Sequence, residues 1–503
     1  MKLIYPSLLT GLLLSVSANV VALDTVELVN VIKTGNKKGD EIVSVRRHSK
    51  QLALTNSKQG TVDIYSIAEA DKPNRTESYS LSLADGEQLT SVALHPTHPY
   101  FLTAIQAVSP SAAGRVQIHH VDTGKLLISL PTGVGPDAVV IDPTGQFAVL
   151  PNEGESFIFN PDDNSFSSPA GSVTLLRLAQ DASDIEAVQI ALPDLTGKPG
   201  FVAAADNRFV ERKIDWNGDG KITEEDVDLD GNGTVSENKM TVGSFRGKKV
   251  RVKEEDGELF LFPLFDSKAD LLEPEYAVFS KDGQKVWLSL QENNGIIVID
   301  TATAKIIDSF GLGTTTHDAD LEDNENVSFS ETLTALREPD GIALTASGKY
   351  FLTADEGDTD PKASKTKKWP TGGGRTISVF DAVTGNFIAD TSNQIDAMAH
   401  SKGIYPDSRS DNKGAEPEML ISFQHEGIDY AAVGLERANA LALVSLETPD
   451  NPTVLDVTVI DAKAEDGEVA PEGIAHYFDS ETESHFIYTA NEKDGTIAVF
   501  KLR

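Results

Sequence analysis

Five segments of the chain carry the same pair of carboxylates, one where an apolar strand begins and one where the next strand ends. The pairs are Asp137/Glu153, Glu275/Glu292, Asp340/Glu356, Glu418/Glu436 and Glu472/Glu492. An out-and-back hairpin returns to the edge from which it started. Both carboxylates of a pair should therefore lie at the same edge of a sheet.

Up to ten carboxylates at one edge would repel one another and raise one another's pKa unless positive charge lies among them. Hard divalent cations such as Ca²⁺ prefer oxygen ligands, so metal binding is one interpretation. The other is that each carboxylate bonds the strand backbone or pairs with an arginine such as Arg375, Arg409 or Arg437. Our candidate metal ligands at this edge are Asp340, Glu356, Glu418, Glu436, Glu472 and Glu492.

A second acidic motif, DWNGDGKITEEDVDLDGNGTVSEN, begins at Asp215. It follows the EF-hand calcium pattern, in which ligands take loop positions 1, 3, 5, 7 and 12. Those positions hold Asp215, Asn217, Asp219, Lys221 (through its carbonyl) and Asp226, with Asp in place of the usual closing Glu.

A second loop would use Asp228, Asp230 and Asn232, but its twelfth position is Lys239, which cannot bind a cation. A register starting at Asp226 would instead close with Glu237. We expect a compact calcium-binding module at residues 215–239, inside an insertion that covers residues 196–272. The alternative is a solvated acidic loop.

The paired carboxylates belong to a repeated unit of short apolar strands and Gly- or Asp-containing turns. Strong copies begin at Pro136, Pro274, Pro339, Pro417 and Pro471, and weaker copies begin at Glu41 and Gln88. Seven such units predict an all-β fold, a seven-bladed β-propeller. A stacked β-sandwich, the alternative, would not repeat its carboxylates in phase.

The last unit ends after three strands, whereas an unassigned strand, TVELVNVI, begins at Thr25. We expect this strand to complete the last blade, which would leave no open sheet edge. Further insertions are expected at residues 360–375 and 396–415.

The first residues resemble an export signal. Lys2 precedes an apolar run from Leu8 to Val21, with small residues at Ala18 and Ala22. This pattern predicts a signal peptide over residues 1–22, which leaves a propeller over residues 23–503. The alternatives are cleavage after Ala18 and a membrane anchor that is not removed. The protein is then expected to be secreted or periplasmic, without an integral membrane segment once the signal is removed.

The formal net charge is −35, which argues against a nucleic-acid partner because phosphate binding needs a basic surface. The chain has no cysteine, so disulfides and thiol chemistry are excluded. It also lacks the common zinc-protease, serine-hydrolase, P-loop and dinucleotide-binding motifs. An enzyme here would have to use metal-bound water and carboxylates.

Several segments resemble the choice-of-anchor I family of exported bacterial propellers. They are DSRSDNKGAEPE from Asp407, YAAVGLERANALALVSLETPDNP from Tyr430, LEPEYAVFSKDGQKVWLSLQENNGIIVIDTATAKI from Leu272 and EPDGIALTASGKYFLTADEGD from Glu338. The resemblance implies a seven-bladed propeller with a metal-rich face. The family includes proteins labelled alkaline phosphatases and is similar to mesenchyme-specific cell-surface glycoproteins. Asn412, Ala415 and Met419 depart from its pattern, which has Asp, Pro and Gly there.

Two functions are consistent with these features. The first is an exported calcium-binding propeller that binds a small-molecule ligand or acts as a scaffold in the cell envelope or outside the cell. The second is a calcium- or metal-dependent phosphoester hydrolase, similar to alkaline phosphatases or phytases, that uses the carboxylates at one face of the propeller. Divalent cations are the expected partners in both.

Overall fold

Seven four-stranded antiparallel sheets, here called blades 1 to 7, form a β-propeller. The structure is a computed structural model that describes residues 22–503 except 40, 110, 155–157, 161–164, 168, 196–197, 202–240, 246–247, 256–257, 264–271 and 358–372. First strands of neighbouring blades contact one another around the ring, and blade 7 contacts blade 1. The predicted fold class is confirmed.

The first three blades come from the N-terminal half of the chain. Blade 1 contains β2 (Val43–Arg46), β3 (Gln51–Asn56), β4 (Thr61–Ser66) and β5 (Asn74–Ser80). Blade 2 contains β6 (Gln88–Leu94), β7 (Tyr100–Gln106), β8 (Ala113–His120) and β9 (Leu126–Val134). Blade 3 contains β10 (Val140–Ile141), β11 (Phe147–Asn152), β14 (Ser172–Arg177) and β15 (Glu186–Ala191).

The other four blades follow the large insertion. Blade 4 contains β19 (Pro274–Phe279), β20 (Lys285–Leu290), β21 (Gly295–Asp300) and β22 (Lys305–Gly311). Blade 5 contains β25 (Ile342–Leu344), β26 (Tyr350–Asp355), β27 (Thr376–Asp381) and β28 (Phe387–Asp390). Blade 6 contains β29 (Pro417–His425), β30 (Ile428–Leu435), β31 (Ala440–Ser445) and β32 (Thr453–Val459). Blade 7 contains β33 (Pro471–Asp479), β34 (Ser484–Asn491), β35 (Thr496–Leu502) and β1 (Val26–Lys33).

The remaining elements lie between or within the blades. They are β12 (Ile158–Asn160), β13 (Ser165–Ser167), β16 (Thr241–Phe245), β17 (Lys248–Glu255), β18 (Glu258–Pro263), β23 (Thr314–Ala319), β24 (Glu331–Leu336), the helix α1 (Gln394–Ser401) and 3₁₀ turns at Ala182–Asp184 and Asp407–Arg409. The sheet β16-β17-β18 belongs to the predicted insertion at 196–272, and α1 belongs to that at 396–415. Sequence analysis did not anticipate the hairpin β23-β24.

Turn chemistry sets the length of the first hairpin in blades 3, 4 and 5. The turns DPTGQ, SKDGQ and TASGK place Gly145, Gly283 and Gly348 at φ values of 75°, 69° and 68°. This left-handed conformation is accessible to glycine without the steric cost of a Cβ atom. The three hairpins therefore turn at equivalent points, and their second strands end at equivalent points.

Apolar side chains of adjacent blades pack face to face between the sheets. Leu54 of blade 1 and Tyr488 and Val499 of blade 7 are all fully buried in one such interface. The inner strands of the blades are thus buried on both faces, as the nearly continuous burial of β3, β11 and β31 shows.

The N-terminal strand closes the ring, as predicted. β1 pairs antiparallel with β35, from Val26 opposite Leu502 to Lys33 opposite Thr496. Blade 6 also holds this strand, because the backbone N–H of Val26 donates to Asp456 Oδ2 at 3.0 Å. Asp456 Oδ1 in turn accepts from Lys402 Nζ at 2.8 Å.

Replacing Asp456 by Ala should therefore loosen the closure. The substitution leaves the buried N–H of Val26 without its acceptor, a loss of about 1–3 kcal/mol in the free energy of unfolding. Urea unfolding of the purified chain measures this loss. Asp456→Asn, which keeps an acceptor oxygen for Val26, should recover most of the stability. Equal unfolding midpoints for Asp456→Ala and the unmodified chain would show that the contact does not stabilise the closure.

Candidate metal centre

Backbone hydrogen bonds hold both carboxylates of a blade at one end of its first hairpin. The N–H groups of Glu153, Glu436 and Glu492 each donate at 2.9 Å to a carbonyl that lies two residues before the partner carboxylate. The acceptors are Gly135, Glu416 and Ala470, in blades 3, 6 and 7. The pairs therefore lie at one edge of each sheet, as the hairpin phasing predicts.

The first strands line the central channel, so the pairs of separate blades approach one another at one end of it. We call this end the acidic mouth and define it by Asp137, Glu153, Glu275, Glu292, Asp340, Glu356, Glu418, Glu436, Glu472 and Glu492. Asp340 illustrates the proximity, because its charge acts on the carboxyls of Glu275, Glu418 and Glu472, which belong to three other blades.

Two groups of three carboxylates at the acidic mouth are compact enough to share an ion. Glu356, Glu418 and Glu436, from blades 5 and 6, each offer an oxygen within 4.8 Å of the other two. Asp137, Glu153 and Glu275, from blades 3 and 4, meet the same distance limit. The first group consists of candidate ligands named from the sequence. The residues of the second group belong to the predicted carboxylate pairs but are not among the candidate ligands named from the sequence.

Burial and mutual repulsion make ionisation of these groups unfavourable. Burial, followed by the charge of Asp137, raises the pKa of Asp340 to about 7. Burial and the charges of Asp340 and Glu416 raise the pKa of Glu356 to about 8, although Lys413 acts in the opposite direction. The pKa values of Glu275, Glu418 and Glu472 are raised well above their usual range for the same reasons. A bound cation would relieve this penalty.

Basic side chains compensate part of the acidic mouth. Lys413 Nζ lies 2.7 Å from Glu356 Oε1, and Lys493 Nζ lies 2.8 Å from Glu436 Oε1. Arg437 also pairs with Glu436, at 2.8 Å. Of the three arginines considered from the sequence, Arg437 thus contacts a ring carboxylate.

The other two arginines have different partners. Arg409 pairs with Glu416 at 3.0 Å, and the buried Arg375 lies 3.6 Å from Asp396. Sequence analysis missed Lys413 and Lys493. The signal for Lys493 was its position next to Glu492, whereas Lys413 comes from the 396–415 insertion and only the fold brings it to Glu356.

Glu418 differs from its two neighbours in the cluster. Its Oε2 atom is buried and accepts no hydrogen bond from the residues that the structure describes. Glu356 Oε2, in contrast, accepts from Gln291 Nε2 at 2.6 Å. Met419, which replaces the glycine of the family pattern, is 8% exposed and packs into the apolar core around Leu441 and Ile474, so it does not displace Glu418 from the mouth.

The remaining sequence candidates do not all join the two compact groups. Besides burial, the charge of Glu436 raises the pKa of both Asp340 and Glu472, and the charge of Glu492 also raises that of Glu472. None of these three candidates belongs to either group of three. The candidates of the Asp-rich motif lie outside the described residues. These are Asp215, Asn217, Asp219, Lys221, Asp226, Asp228, Asp230 and Asn232.

Sheet order and site together define a class: a seven-bladed β-propeller with carboxylates gathered at one mouth of its channel. The family model of the choice-of-anchor I domain matches residues 41–368 and 358–449. The chain therefore belongs to the choice-of-anchor I family, and it is a cell-surface or extracellular propeller protein. Within the described ranges, no helix combines the length and the apolar character needed to cross a bilayer.

Solved β-propeller structures are similar to the chain at low identity. The β-propeller domain of Cps50 (Swd1) from Myceliophteria thermophila is 10% identical, with a TM-score of 0.48 over 95% of this chain and 99% of that chain. The C-terminal WD40 domain of Sif2 is 8% identical, with a TM-score of 0.45 over 95% and 99% of the two chains. The chain matches none of the curated proteins.

The raised pKa values predict how the metal-free protein responds to pH. In the unfolded chain, Asp and Glu lose their protons near pH 4. In the folded chain, Asp340 and Glu356 keep theirs up to about pH 7 and 8. The folded state then binds more protons over this window, so its stability falls as the pH rises from about 4 to 8.

Thermal melting in a chelating buffer at a series of pH values measures this fall. The double variant Asp340→Asn with Glu356→Gln should flatten the decline, because it removes two of the groups that lose protons. An exposed control substitution, Glu447→Gln, should keep the slope of the unmodified chain. A slope that is the same in all three proteins would contradict the raised pKa values.

Proposed function

We propose that the protein is an exported calcium-binding β-propeller whose acidic mouth binds divalent cations and, through them, a ligand or a partner outside the cell. The observation that carries the proposal is the group Glu356, Glu418 and Glu436, in which Glu418 presents a buried oxygen that has no hydrogen-bond partner in the described part of the chain. Family membership and the N-terminal export pattern support the location, in the periplasm or secreted.

A divalent cation suits this group better than further protein contacts. Lys413 compensates Glu356, whereas Lys493 and Arg437 compensate Glu436, so the flanking carboxylates are partly neutralised. No such contact reaches Glu418 Oε2 among the described residues. A hard cation at this point would interact with all three carboxylates and with the dipoles of water. Calcium fits because it accepts irregular sets of oxygen ligands.

The Asp-rich loop at 215–239 is proposed as a separate calcium site on the strength of its sequence pattern. An extracellular site of this kind stays loaded at millimolar calcium. Its role would then be to order the insertion rather than to switch it.

Calcium titration by calorimetry should separate the two sites. Glu356→Gln with Glu418→Gln should weaken one class of calcium site at least tenfold, because a neutral amide replaces two charged ligands. Asp215→Asn with Asp219→Asn should remove a different class and leave the first. The control matched for charge is Glu426→Gln with Glu447→Gln, both exposed and outside the acidic mouth. Unchanged calcium binding in Glu356→Gln with Glu418→Gln would rule out the proposed site.

The second candidate function is a metal-dependent phosphoester hydrolase. The observation that favours it is that both groups of three carboxylates and the Lys413 ammonium lie at the acidic mouth. Cations held there would bind phosphate oxygens and lower the pKa of a bound water, whose oxygen would attack phosphorus as the ester P–O bond breaks and the leaving alkoxide takes a proton from solvent. Asp340, whose charge acts on both groups, would be placed to accept a proton from that water.

Hydrolysis of p-nitrophenyl phosphate with and without calcium tests this alternative. A hydrolase should show calcium-dependent turnover that Glu356→Gln with Glu492→Gln abolishes while the melting temperature is retained. If calcium binds but several phosphomonoesters and phosphodiesters give no turnover, the binding function stands and the hydrolase does not.

A further inference from the structure

A large cavity occupies the end of the channel opposite the acidic mouth. Its volume is about 1180 Å³, and its walls come from the first strands of blades 1 to 5 and from the turns that end them. We call it the lower cavity. The turns that line it include residues 47–48 of blade 1, 280–282 of blade 4 and 345–348 of blade 5.

The walls of the lower cavity are mainly apolar. Ile42, Val92, Ile141 and Val278 contribute side chains from four blades. Tyr276, next to Glu275, marks its upper end, and burial together with the charges of Asp340 and Asp137 raises the pKa of this phenol to about 12. An apolar space of this size accommodates a small organic molecule.

Two cations, Arg47 and Lys281, line the lower cavity together with His48. Within the described part of the chain, neither Arg47 nor Lys281 forms an ion pair, although acidic residues outnumber basic ones by 78 to 43. The lower cavity thus combines apolar walls with positive charge that the protein itself does not neutralise.

The hydrogen bond of Arg47 does not neutralise its charge. Arg47 donates to His476 Nδ1 at 3.5 Å, so the proton of His476 is on Nε2, which donates to His485 Nδ1 at 2.9 Å. His485 Nε2 then donates to His425 Nδ1 at 3.0 Å. Burial lowers the pKa of His476 well below its usual range and that of His485 to about 4, so both are neutral at physiological pH.

The two carboxylates that line the lower cavity are occupied by their own turns. Asp142 accepts from the backbone N–H groups of Thr144, Gln146 and Phe147 at 2.5–2.7 Å. Asp282 accepts from the Ser280 hydroxyl at 2.6 Å and from the Gln284 N–H at 3.1 Å. Neither reaches Arg47 or Lys281 as an ion-pair partner.

We propose that the lower cavity binds an organic anion with an apolar body, with its carboxylate or phosphate head at Arg47 of blade 1 or at Lys281 of blade 4. A guanidinium beside an apolar wall binds such a head through charge-assisted hydrogen bonds, and the walls cover the body. The anion enters from the lower end, since the acidic mouth at the other end repels it. This site is independent of any metal at the acidic mouth.

Calorimetry with matched ten-carbon probes tests the proposal on the full chain in chelating buffer, with every probe below its micelle concentration. Decanoate or decyl phosphate should bind with one molecule per chain, and the stronger of the two identifies the preferred head group. Decyltrimethylammonium, which has the same tail and the opposite charge, should bind at least tenfold more weakly, and so should acetate, which lacks the tail.

Variants then locate the site. Arg47→Gln with Lys281→Gln should weaken binding of the preferred probe at least tenfold, and Ala346→Trp, at an exposed position of the rim, should weaken it by narrowing the entrance. Lys285→Gln with Lys349→Gln removes two charges beside the same turns, at residues that do not themselves line the cavity, and should leave affinity unchanged. Melting curves show that each variant is folded. Equal binding of the cationic and anionic probes, or unchanged affinity in Arg47→Gln with Lys281→Gln, would overturn the proposal.

Discussion

Electrostatic repulsion among buried carboxylates is the constraint on which the rest of the site depends. Hairpin phasing brings acidic side chains from neighbouring blades to one channel mouth, where burial weakens their solvation. Protons, basic side chains or metal ions must then compensate the charge. Lys413, Lys493 and Arg437 compensate one side of the group around Glu418, and the raised pKa values of Asp340 and Glu356 show that this compensation is incomplete. In the proposed function, a divalent cation supplies the remaining compensation and allows further carboxylates to ionise at neutral pH.

The propeller supplies the rigidity that such a mouth requires. Each carboxylate sits at the end of a strand buried on both faces, so the side chains cannot simply move apart when they ionise. The ring is closed through β1, which joins the two ends of the described chain in blade 7 and is bonded to Asp456 of blade 6. The same architecture gives the two ends of the channel opposite charge, with carboxylates at one end and the cations Arg47 and Lys281 at the other.

Much of the fold follows from local patterns that the sequence displays directly. Residues close together in the chain determine the seven repeated units and the missing fourth strand of the last unit. They also determine the turns at Gly145, Gly283 and Gly348. The shared edge of each carboxylate pair follows from them as well. The contacts of Lys413 with Glu356 and of Arg47 with His476 do not, because each joins residues of separate elements whose spacing only the closed ring determines. The hairpin β23-β24 was not predicted, because it lies between two blades and has no counterpart in the repeated units.

The central claim, that the acidic mouth holds a divalent cation, is tested most directly by anomalous diffraction from crystals grown with Mn²⁺ or a lanthanide in place of calcium. The account predicts an anomalous peak coordinated by oxygens of Glu356, Glu418 and Glu436, with Glu418 Oε2 among them. If diffraction shows these carboxylates contacted only by Lys413, Lys493 and Arg437, with peaks confined to other parts of the molecule, the mouth is a structural ion-pair network and not a metal site.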